Sequence, residues 1–258
     1  MQRRILPALV WNQEVYGQRI LRCLETARRW LDFGCGKRLL AGGLEPLEKA
    51  LARTPFVGLD LNPENLRAQL YTRRCILADG SHLPFGDESF DLITSNMVVE
   101  HLKEPRIAFA ELNRVFAPGG TILLHTPNLH NYLVFTNRLV WAVLPRRAHA
   151  ALVATSERRA EEDIYPTFYR ANTQRTLRKL GRPIGQVTVE FLPGPRPFFH
   201  YFAPLAMVEL LLTRISQFAL FRRSGTTLLV SIGKPGVARA VGEVSETCAG
   251  DAVQDSAA

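Results

Sequence analysis

The sequence contains few cysteines and no pattern that would pair them. The four cysteines are widely spaced, at Cys23, Cys35, Cys75 and Cys248. No Cys-x-x-Cys pair and no Cys/His spacing of a metal site occurs, so the sequence supports neither zinc nor another metal. The opening residues Met-Gln-Arg-Arg-Ile-Leu-Pro lack the apolar core of a signal peptide. We therefore expect a cytoplasmic protein with free thiols.

The sequence also lacks a long apolar run that is free of charge. Residues 198–221 have the length of a membrane span, but Glu209 and Arg214 lie inside it, which a spanning helix tolerates poorly. Its polar and apolar residues fall on opposite faces of a helix, and residues 132–144 have a similar character. Each segment is followed closely by two arginines. We expect two amphipathic segments that lie either on the protein's own core or peripherally on an anionic membrane surface.

Acidic residues are outnumbered by basic ones, with 24 Asp and Glu against 32 Lys and Arg and a net charge of +8. A basic protein of this kind is either simply soluble or attracted to an anionic substrate or membrane. The sequence has no basic stretch interleaved with aromatic residues and no recognised nucleic-acid module, so a nucleic-acid partner is not expected. The oligomeric state does not follow from the sequence.

Apolar runs of strand length alternate with amphipathic segments over most of the chain. Strands are predicted at 29–33, 56–60, 75–78, 90–95, 121–125, 186–192 and 226–232, and helices at 12–28, 38–52, from 62 onward, 104–116 and 173–180. Asn62 is predicted to cap one helix with Pro63 at its first position, and Asn172 to cap the last. This alternation predicts a mostly parallel sheet that is covered on both faces.

Two of the predicted strands end in an acid near a glycine turn. The first ends at Asp32 and is followed at once by Gly34 and Gly36. Glycines at alternate positions let the backbone approach a ligand and adopt a positive φ. The second strand ends at Asp60, and this arrangement is how α/β sheets hold a nucleoside. The NAD fingerprint needs a glycine where this chain has Leu39, so an NAD-linked oxidoreductase is disfavoured without being excluded.

The loop after Asp79 reduces the number of possible ligands further. It reads Asp-Gly-Ser-His-Leu-Pro-Phe up to Phe85 and is followed by Ser-Phe-Asp at 89–91. Further motifs are Asp-Phe-Gly-Cys-Gly at 32–36, Glu-His-Leu at 100–102 and Glu-Leu-Asn-Arg-Val-Phe-Ala-Pro-Gly-Gly at 111–120. With these motifs the sequence closely resembles class I S-adenosylmethionine-dependent methyltransferases, in the branch called methyltransferase type 11. The resemblance is dense over residues 28–128.

The resemblance implies an α/β fold, a doubly wound, Rossmann-like three-layer sandwich. Its seven-stranded sheet would be mostly parallel with the last strand antiparallel. The methyltransferase domain would span 1–234, with helical inserts at about 129–182 and 193–223 that shape the substrate side. Residues 235–258 have little to bury and are predicted to be disordered.

The resemblance also implies which residues surround the methionine end of S-adenosylmethionine, the expected cofactor. Gly34 and Gly36 would let the backbone approach it, and Asp32 would support the turn and reach the amino group directly or through water. Ser95 and Asn96 would line the methyl-transfer cleft, beyond the carboxyl ends of the strands. The alternative for the acids of the site is that some only cap the following helices.

At the adenosine end, the resemblance places Asp60 against both ribose hydroxyls, which a carboxylate can accept with two oxygens. Leu61 would pack on the adenine ring. Asp79 would accept from the exocyclic amine of adenine, with Gly80 and Ser81 offering backbone donors nearby.

One residue of the first turn departs from the family pattern. The family usually has a third glycine two positions after Gly36, where this chain has Arg38. Arg38 would either crowd the methionine end of the cofactor or project from the first helical turn into solvent.

Two histidines are candidates for a catalytic base. Methyl transfer is an in-line displacement, and a base is needed only when the acceptor loses a proton. His101 follows the fourth predicted strand and His125 closes the fifth; either one alternatively only packs its surroundings. Tyr169 and Arg170 would reach the acceptor from a lid, or simply pack at a helix entry.

The sequence therefore predicts an enzyme that transfers a methyl group from S-adenosylmethionine to a small-molecule or lipid-linked acceptor. The alternative is a non-catalytic protein that binds S-adenosylmethionine or S-adenosylhomocysteine and docks a partner or membrane through its apolar segments. Whether oxygen, carbon or nitrogen is methylated does not follow from the sequence.

Overall fold

A computed structural model of the chain describes residues 12–40, 45–51, 53–54, 56–72, 74–131, 165–192 and 225–236. The helices are α1 (Asn12–Cys23), α2 (Glu45–Leu51), α3 (Pro63–Arg67), α4 (Pro105–Val115) and α5 (Gln174–Gly181). The strands are β1 (Trp30–Phe33), β2 (Phe56–Asp60), β3 (Cys75–Leu77), β4 (Phe90–Asn96), β5 (Phe116–Pro127), β6 (Gln186–Leu192) and β7 (Thr227–Gly233). A short 3-10 turn, Val99–His101, follows β4.

The seven strands form one sheet in the order β3-β2-β1-β4-β5-β7-β6. β1 pairs in parallel with β2 and β4, β2 with β3, and β4 with β5. β7 runs antiparallel between β5 and β6. The predicted fold class is confirmed, since the sheet is mostly parallel and its last strand is antiparallel. The chain crosses from β3 over β2 and β1 to β4, which puts a topological switch point between the adjacent strands β1 and β4.

Both faces of the sheet are buried under helices. On one face Phe109 and Leu112 of α4 and Leu177 of α5 pack in a cluster with Leu31 and Ile93. On the other face the packed side chains are Tyr16 and Ile20 of α1, Leu47 of α2, and Trp30, Leu92 and Leu123 of the strands. Neighbouring strand residues such as Trp30 and Leu31 enter opposite clusters because side chains alternate along a strand. The carboxyl edge of β1 to β5 is thereby held rigid between two cores.

Several boundaries differ from the predictions, and the first helix ends at Cys23 where 28 was predicted. The helix expected from 38 starts at Glu45, because residues 37–40 are bends and irregular backbone. β5 starts at Phe116 and runs through the Pro-Gly-Gly of 118–120 with a shift in its register against β4, where a break before residue 121 was expected. Thr173 caps α5 in place of Asn172, because its Oγ1 accepts from the Thr176 backbone N–H.

The predicted start of α3 is confirmed. The Asn62 side chain accepts a hydrogen bond from the Glu64 backbone N–H, and Pro63 occupies the first helical position.

The two amphipathic segments at 132–144 and 198–221, and the tail from 237, lie outside the described residues. Association with a membrane surface, which depends on those segments, stays a prediction. In the ranges that the structure describes, no helix is both long and apolar enough to cross a membrane.

Candidate functional site

The glycine turn after β1 is fixed from below by the end of β2. The backbone N–H groups of Gly34 and Cys35 both donate to the Leu59 carbonyl, at 2.7 Å and 2.9 Å. Gly34 has φ +74°, and a Cβ there would lie 2.4 Å from a methyl carbon of Val98. Both the conformation and the close approach therefore require glycine at this position.

Gly36 requires glycine for a different reason. Its φ is +52°, but a Cβ added there would meet no atom within 4 Å. The backbone N–H of Gly36 donates to Asp60 Oδ2 at 2.8 Å. Gln69, which no motif singled out, donates to the carbonyls of Gly36 and Cys35 at 2.9 Å and 3.2 Å. The turn thus holds bare backbone against open space beside the Asp60 carboxylate.

Asp60 is held by several donors and is only 9% exposed. Its Oδ1 accepts from the Asn62 backbone N–H at 2.8 Å and from Asn65 Nδ2 at 3.3 Å. A carboxylate oxygen has about two acceptor positions. Oδ1 is therefore filled, whereas Oδ2 has one bond, from Gly36, and room for another donor.

Asp32 lies behind the turn and is 2% exposed. The Trp30 indole N–H donates to Thr94 Oγ1 at 2.8 Å, and that hydroxyl donates to Asp32 Oδ1 at 2.6 Å. Burial raises the pKa of the Asp32 carboxyl to about 7, although the Thr94 bond opposes the rise and the nearby Asp60 adds to it. A cation bound close to Asp32 would favour the charged form of this carboxyl.

Two exposed leucines flank Asp60 at the ends of adjacent strands. Leu61 is 66% exposed, and Leu77, which pairs with Asp60 across the sheet, is 57% exposed. Isolated exposed leucines are ordinary, but these two offer apolar surface next to a buried carboxylate at the sheet edge.

The predicted adenine-side residues lie beyond β3. Asp79 is exposed and accepts the Ser81 backbone N–H at 2.8 Å through Oδ1; no hydrogen bond to its Oδ2 occurs among the described residues. The Ser81 N–H is thus engaged by Asp79 itself. A Cβ at Gly80 would lie 2.3 Å from the Phe33 ring, so packing alone already requires glycine there.

The loop that carries Asp79 is braced by α4. Glu111 Oε2 accepts from the Leu83 backbone N–H at 2.8 Å, and Arg114 donates to the carbonyls of Leu83 and Phe85 at 2.9 Å and 2.7 Å. The Arg114 guanidinium also bonds Glu111 and lowers the pKa of its carboxyl to about 2. This gives the Glu-x-x-Arg part of the 111–120 motif a structural reason.

At the end of β4, Asn96 is clamped by the first helix. Gln13 Nε2 donates to Asn96 Oδ1 at 3.2 Å, and Asn96 Nδ2 donates to Gln13 Oε1 at 2.9 Å and to the Leu39 carbonyl at 3.0 Å. Ser95 is fully buried, and its Oγ has no hydrogen-bond partner within the described ranges. Of the two residues predicted to line the cleft, only Asn96 is partly exposed.

His125 is completely buried and both its ring nitrogens are engaged. Nδ1 lies 2.9 Å from Asn96 Oδ1, and Nε2 lies 3.0 Å from the Thr227 hydroxyl. Tyr16 stacks on the ring at 5.4 Å, and burial lowers the pKa of His125 to about 4. His125 is therefore a neutral link between β4, β5 and β7, without a nitrogen to offer a substrate, and we do not retain it as a candidate base.

His101 has a geometry that suits a base. Its Nδ1 lies 2.9 Å from the Pro166 carbonyl, which can only accept, so Nδ1 carries the proton and Nε2 of the neutral ring is unprotonated. Its ring meets the Tyr165 ring edge to face at 5.9 Å. The 3-10 turn after β4 and the segment that begins at Tyr165 thus fix the orientation of this imidazole.

Tyr169 and Arg170, expected either to reach the acceptor from a lid or to pack at a helix entry, both make hydrogen bonds to the segment at 100–104. Tyr169 has φ +51° and donates its backbone N–H to the Glu100 carbonyl at 3.1 Å. Arg170 donates to the Lys103 carbonyl at 2.6 Å and pairs with the exposed Glu104 at 3.2 Å. Arg170 is thus held on the surface by the two residues that precede α4.

Arg38 is exposed, so the structure favours its projection into solvent, from irregular backbone and not from the predicted helical turn. Met97, which sequence reasoning missed, is 38% exposed at the end of β4 and has φ +57°. A positive φ in a non-glycine residue is uncommon and recurs at functional sites.

Comparison with known proteins gives a family for this geometry. Residues 31–124 match the methyltransferase domain family. Over 124 residues the chain is 33% identical to a malonyl-[acyl-carrier protein] O-methyltransferase of Halorhodospira halophila, covering 44% of this chain and 41% of that protein. Over 102 residues it is 36% identical to a phthiotriol/phenolphthiotriol dimycocerosates methyltransferase of Mycobacterium leprae, covering 37% and 36%. The match thus spans about two fifths of the length of these relatives.

Among solved structures, a putative methyltransferase in complex with the Haloferax volcanii Trm112 activator has a similar fold. The TM-score is 0.53 at 17% identity, over 92% of this chain and 96% of that one. At this identity the likeness concerns the fold alone.

The described residues fit S-adenosylmethionine, the cofactor of this family. Gly36 opens onto space that a side chain would fill, Asp60 Oδ2 can accept a further donor, and Leu61 offers exposed apolar surface beside them. The motifs, the sheet order and the family match agree. Residues 31–124 match the methyltransferase domain family, which confirms for this part of the chain the predicted resemblance to class I S-adenosylmethionine-dependent methyltransferases of the type 11 branch.

Proposed function

We propose that this protein transfers a methyl group from S-adenosylmethionine to a small-molecule or lipid-linked acceptor. One observation carries the proposal. The Asp60 carboxylate at the end of β2 bonds the Gly36 N–H of the glycine turn and keeps an acceptor position directed away from that bond. A carboxylate beside bare backbone at a switch point is suited to a ribose and the chain attached to it.

In this proposal the turn and Asp32 hold the amino-acid end of the cofactor. The negative charge of Asp32 favours the cofactor's amino group, and the backbone of Gly36 borders the methionine chain. Asp60 accepts a ribose hydroxyl, Leu61 packs on adenine, and Asp79 accepts from its amine. Asn96, clamped by Gln13, borders the methyl group.

When bound, S-adenosylmethionine would supply an electrophilic methyl carbon to the acceptor's lone pair, and its sulfur would keep the electron pair of the broken bond. When the acceptor is a hydroxyl, its proton must leave, whereas a carboxyl group is already deprotonated at neutral pH and needs no base. We propose His101 as the proton acceptor, because its Nδ1 bond to the Pro166 carbonyl leaves Nε2 as the basic nitrogen.

The names of the relatives support this acceptor class. One methylates a malonyl group on an acyl-carrier protein and another acts on phthiotriol dimycocerosates. Acceptors of that kind are organic acids or alcohols carried on larger molecules. For this chain the acceptor is therefore sought first among oxygen groups of lipids and of thioester-linked acids.

A transfer assay tests the proposal. The purified protein is incubated with methyl-labelled S-adenosylmethionine and, in parallel, with cell lipid extract and with acyl-carrier thioesters, and products are identified by mass. We expect label in one product class. Asp60→Asn should lower the labelling about tenfold when the cofactor is limiting, because an amide offers fewer acceptor positions than a carboxylate. Asp87→Asn, a change at an exposed acid paired with Arg114, serves as the matched control.

Binding without transfer would point to the alternative, a protein that binds the cofactor and has no transferase activity. That outcome requires a calorimetric titration in which the wild type binds S-adenosylmethionine while neither acceptor fraction gains label. A folded wild type that binds no cofactor would contradict both functions.

A further inference from the structure

A tyrosine that no motif singles out lies beside the Asp60 carboxylate. The Tyr165 hydroxyl accepts from Asn62 Nδ2 at 2.6 Å and from Asn65 Nδ2 at 3.1 Å. Asn65 Nδ2 also donates to Asp60 Oδ1 at 3.3 Å. Because one nitrogen bonds both oxygens, the phenol and the carboxylate lie within two hydrogen-bond lengths of each other.

The two amides can only donate to this hydroxyl. Asn62 Oδ1 accepts the Glu64 backbone N–H at 2.8 Å, so its nitrogen is the atom that faces Tyr165. Asn65 bonds Asp60 with the same atom, and a carboxylate only accepts, so that atom is also the nitrogen. The Tyr165 oxygen therefore accepts two hydrogen bonds. The hydrogen of its hydroxyl group takes part in neither of them.

This leaves Tyr165 with one donor to offer. Among the described residues no acceptor for its hydroxyl hydrogen occurs, and Tyr165 is partly exposed. A phenol that accepts two bonds is also polarised toward donating a third.

The hydroxyl hydrogen of Tyr165 complements the one acceptor position that is still open on Asp60. Oδ1 already accepts two hydrogen bonds, and Oδ2 has room for one more. The site thus presents one acceptor and one donor close together. A ribose has two adjacent hydroxyls, of which one can donate to the acid while the other accepts from the phenol.

We propose that Tyr165 is a positioning residue that donates a hydrogen bond to a ribose hydroxyl of the cofactor at Asp60. This inference rests on the proposed function, since it needs an adenosine ligand at that acid. It revises the sequence-based expectation that Asp60 alone holds both hydroxyls.

The same residue reaches the acceptor side. The Tyr165 ring contacts the His101 ring at 5.9 Å and 73°, and the next residue, Pro166, accepts from His101 Nδ1. The segment at 165–166 therefore supports both the ribose and the proposed proton acceptor. Tyr165→Phe removes only the hydroxyl, whereas Tyr165→Leu also removes the ring contact.

The test compares ligands with and without each ribose hydroxyl. S-adenosylhomocysteine and its 2′-deoxy and 3′-deoxy analogues are titrated calorimetrically into wild type and Tyr165→Phe. We expect Tyr165→Phe to weaken S-adenosylhomocysteine binding about three- to tenfold, the worth of one hydrogen bond. The variant should bind one of the two analogues as well as the wild type does, because that analogue lacks the hydroxyl which Tyr165 contacts.

Tyr169→Phe, in the same segment, is the matched control and should leave all three affinities unchanged. Equal weakening of S-adenosylhomocysteine and both analogues by Tyr165→Phe would overturn the inference, since a general structural role predicts that pattern. So would an unchanged affinity for S-adenosylhomocysteine. A folded wild type that binds none of the three would instead overturn the proposed function, and the inference with it.

Discussion

The two halves of the sheet edge differ in how their polar groups are held. We call the Gly34–Gly36 turn, Asp60 and Asp79 the cofactor half, and Asn96, His101 and His125 the acceptor half. In the cofactor half, Asp60 and Asp79 each accept the backbone N–H of the residue two positions on, and Asp60 also bonds Asn65 and the glycine turn. In the acceptor half, the partners are Gln13, Thr227 and Pro166, which are remote in sequence.

The difference separates a ligand site that short motifs build from one that the whole fold builds. Local turns and caps can be carried intact from one protein to another, because their hydrogen bonds close within a few residues. The acceptor half depends on the helix α1, the strand β7 and the segment at 165–166, so its shape is particular to this chain. We therefore expect the cofactor to be that of the family and the acceptor to be chosen by these remote segments.

The largest effect should come from His101, in the acceptor half. His101→Gln keeps a side-chain donor for the Pro166 carbonyl but has no basic nitrogen, so turnover should fall about 10²- to 10⁴-fold. The affinity for S-adenosylhomocysteine should fall far less than turnover does, because Asp60 and the glycine turn are untouched and only the ring contact to Tyr165 is lost. Initial rates measure the turnover and calorimetry measures the affinity for S-adenosylhomocysteine. His82→Gln, a change at an exposed histidine, is the control. An unchanged turnover would remove His101 from proton transfer.

The two glycines should separate stability from binding within the cofactor half. Gly34→Ala should lower the free energy of unfolding by about 2–4 kcal/mol, because the new Cβ meets Val98 in a strained conformation. Gly36→Ala should cost about 1 kcal/mol for its positive φ alone, yet weaken the cofactor more, because its Cβ enters the ligand space. Urea unfolding and titration measure both. Equal stability losses for the two variants would contradict the packing difference.

His125 should affect stability and its pH dependence. Its pKa is about 4 in the fold against the ordinary 6.5, so its stabilising contribution is complete above pH 6.5 and is lost as the pH falls through 4. His125→Gln should lower the free energy of unfolding by about 1–3 kcal/mol at pH 7. The difference from wild type should shrink at pH 5, as urea unfolding would reveal. The same difference at both pH values would indicate that His125 is not held neutral.

The smallest effect should come from Asp32. Its pKa is raised to about 7, and the cation of a bound amino acid favours the charged form, so binding should release a proton. The affinity for S-adenosylhomocysteine should therefore rise with pH through 7, by up to about tenfold from pH 6 to pH 8. Asp32→Asn should flatten this dependence. An equally steep profile in the variant would assign the proton to another group.

The sequence was informative where hydrogen bonds are local. The strand ends at Asp32 and Asp60, the cap at Asn62 and the order of strands could be predicted, because periodicity and turn chemistry encode them. The helix after Gly36 was predicted too early, since Lys37 to Leu40 are bends and irregular backbone that the apolar pattern does not reveal.

The contacts of the acceptor half could not be predicted from the sequence in the same way. His101 and His125 are both candidate bases in the sequence. In the structure, His101 is oriented by its bond to the Pro166 carbonyl, whereas His125 is buried between β4 and β7. Burial and pairing of that kind depend on contacts across the fold. Gln13 at the start of α1 and Tyr165 have polar side chains that could form hydrogen bonds. Nothing in the sequence indicates which residues they would bond to.

The most direct test of the account is a calorimetric titration of S-adenosylmethionine into wild type and Asp60→Asn. We expect the wild type to bind at a single site. Asp60→Asn should bind at least about tenfold more weakly, the loss of a charge-assisted hydrogen bond, while its thermal unfolding shows a folded protein. Equal affinities in the two proteins, or a folded wild type that takes up no S-adenosylmethionine, would contradict the claim that the β2 acid holds the cofactor.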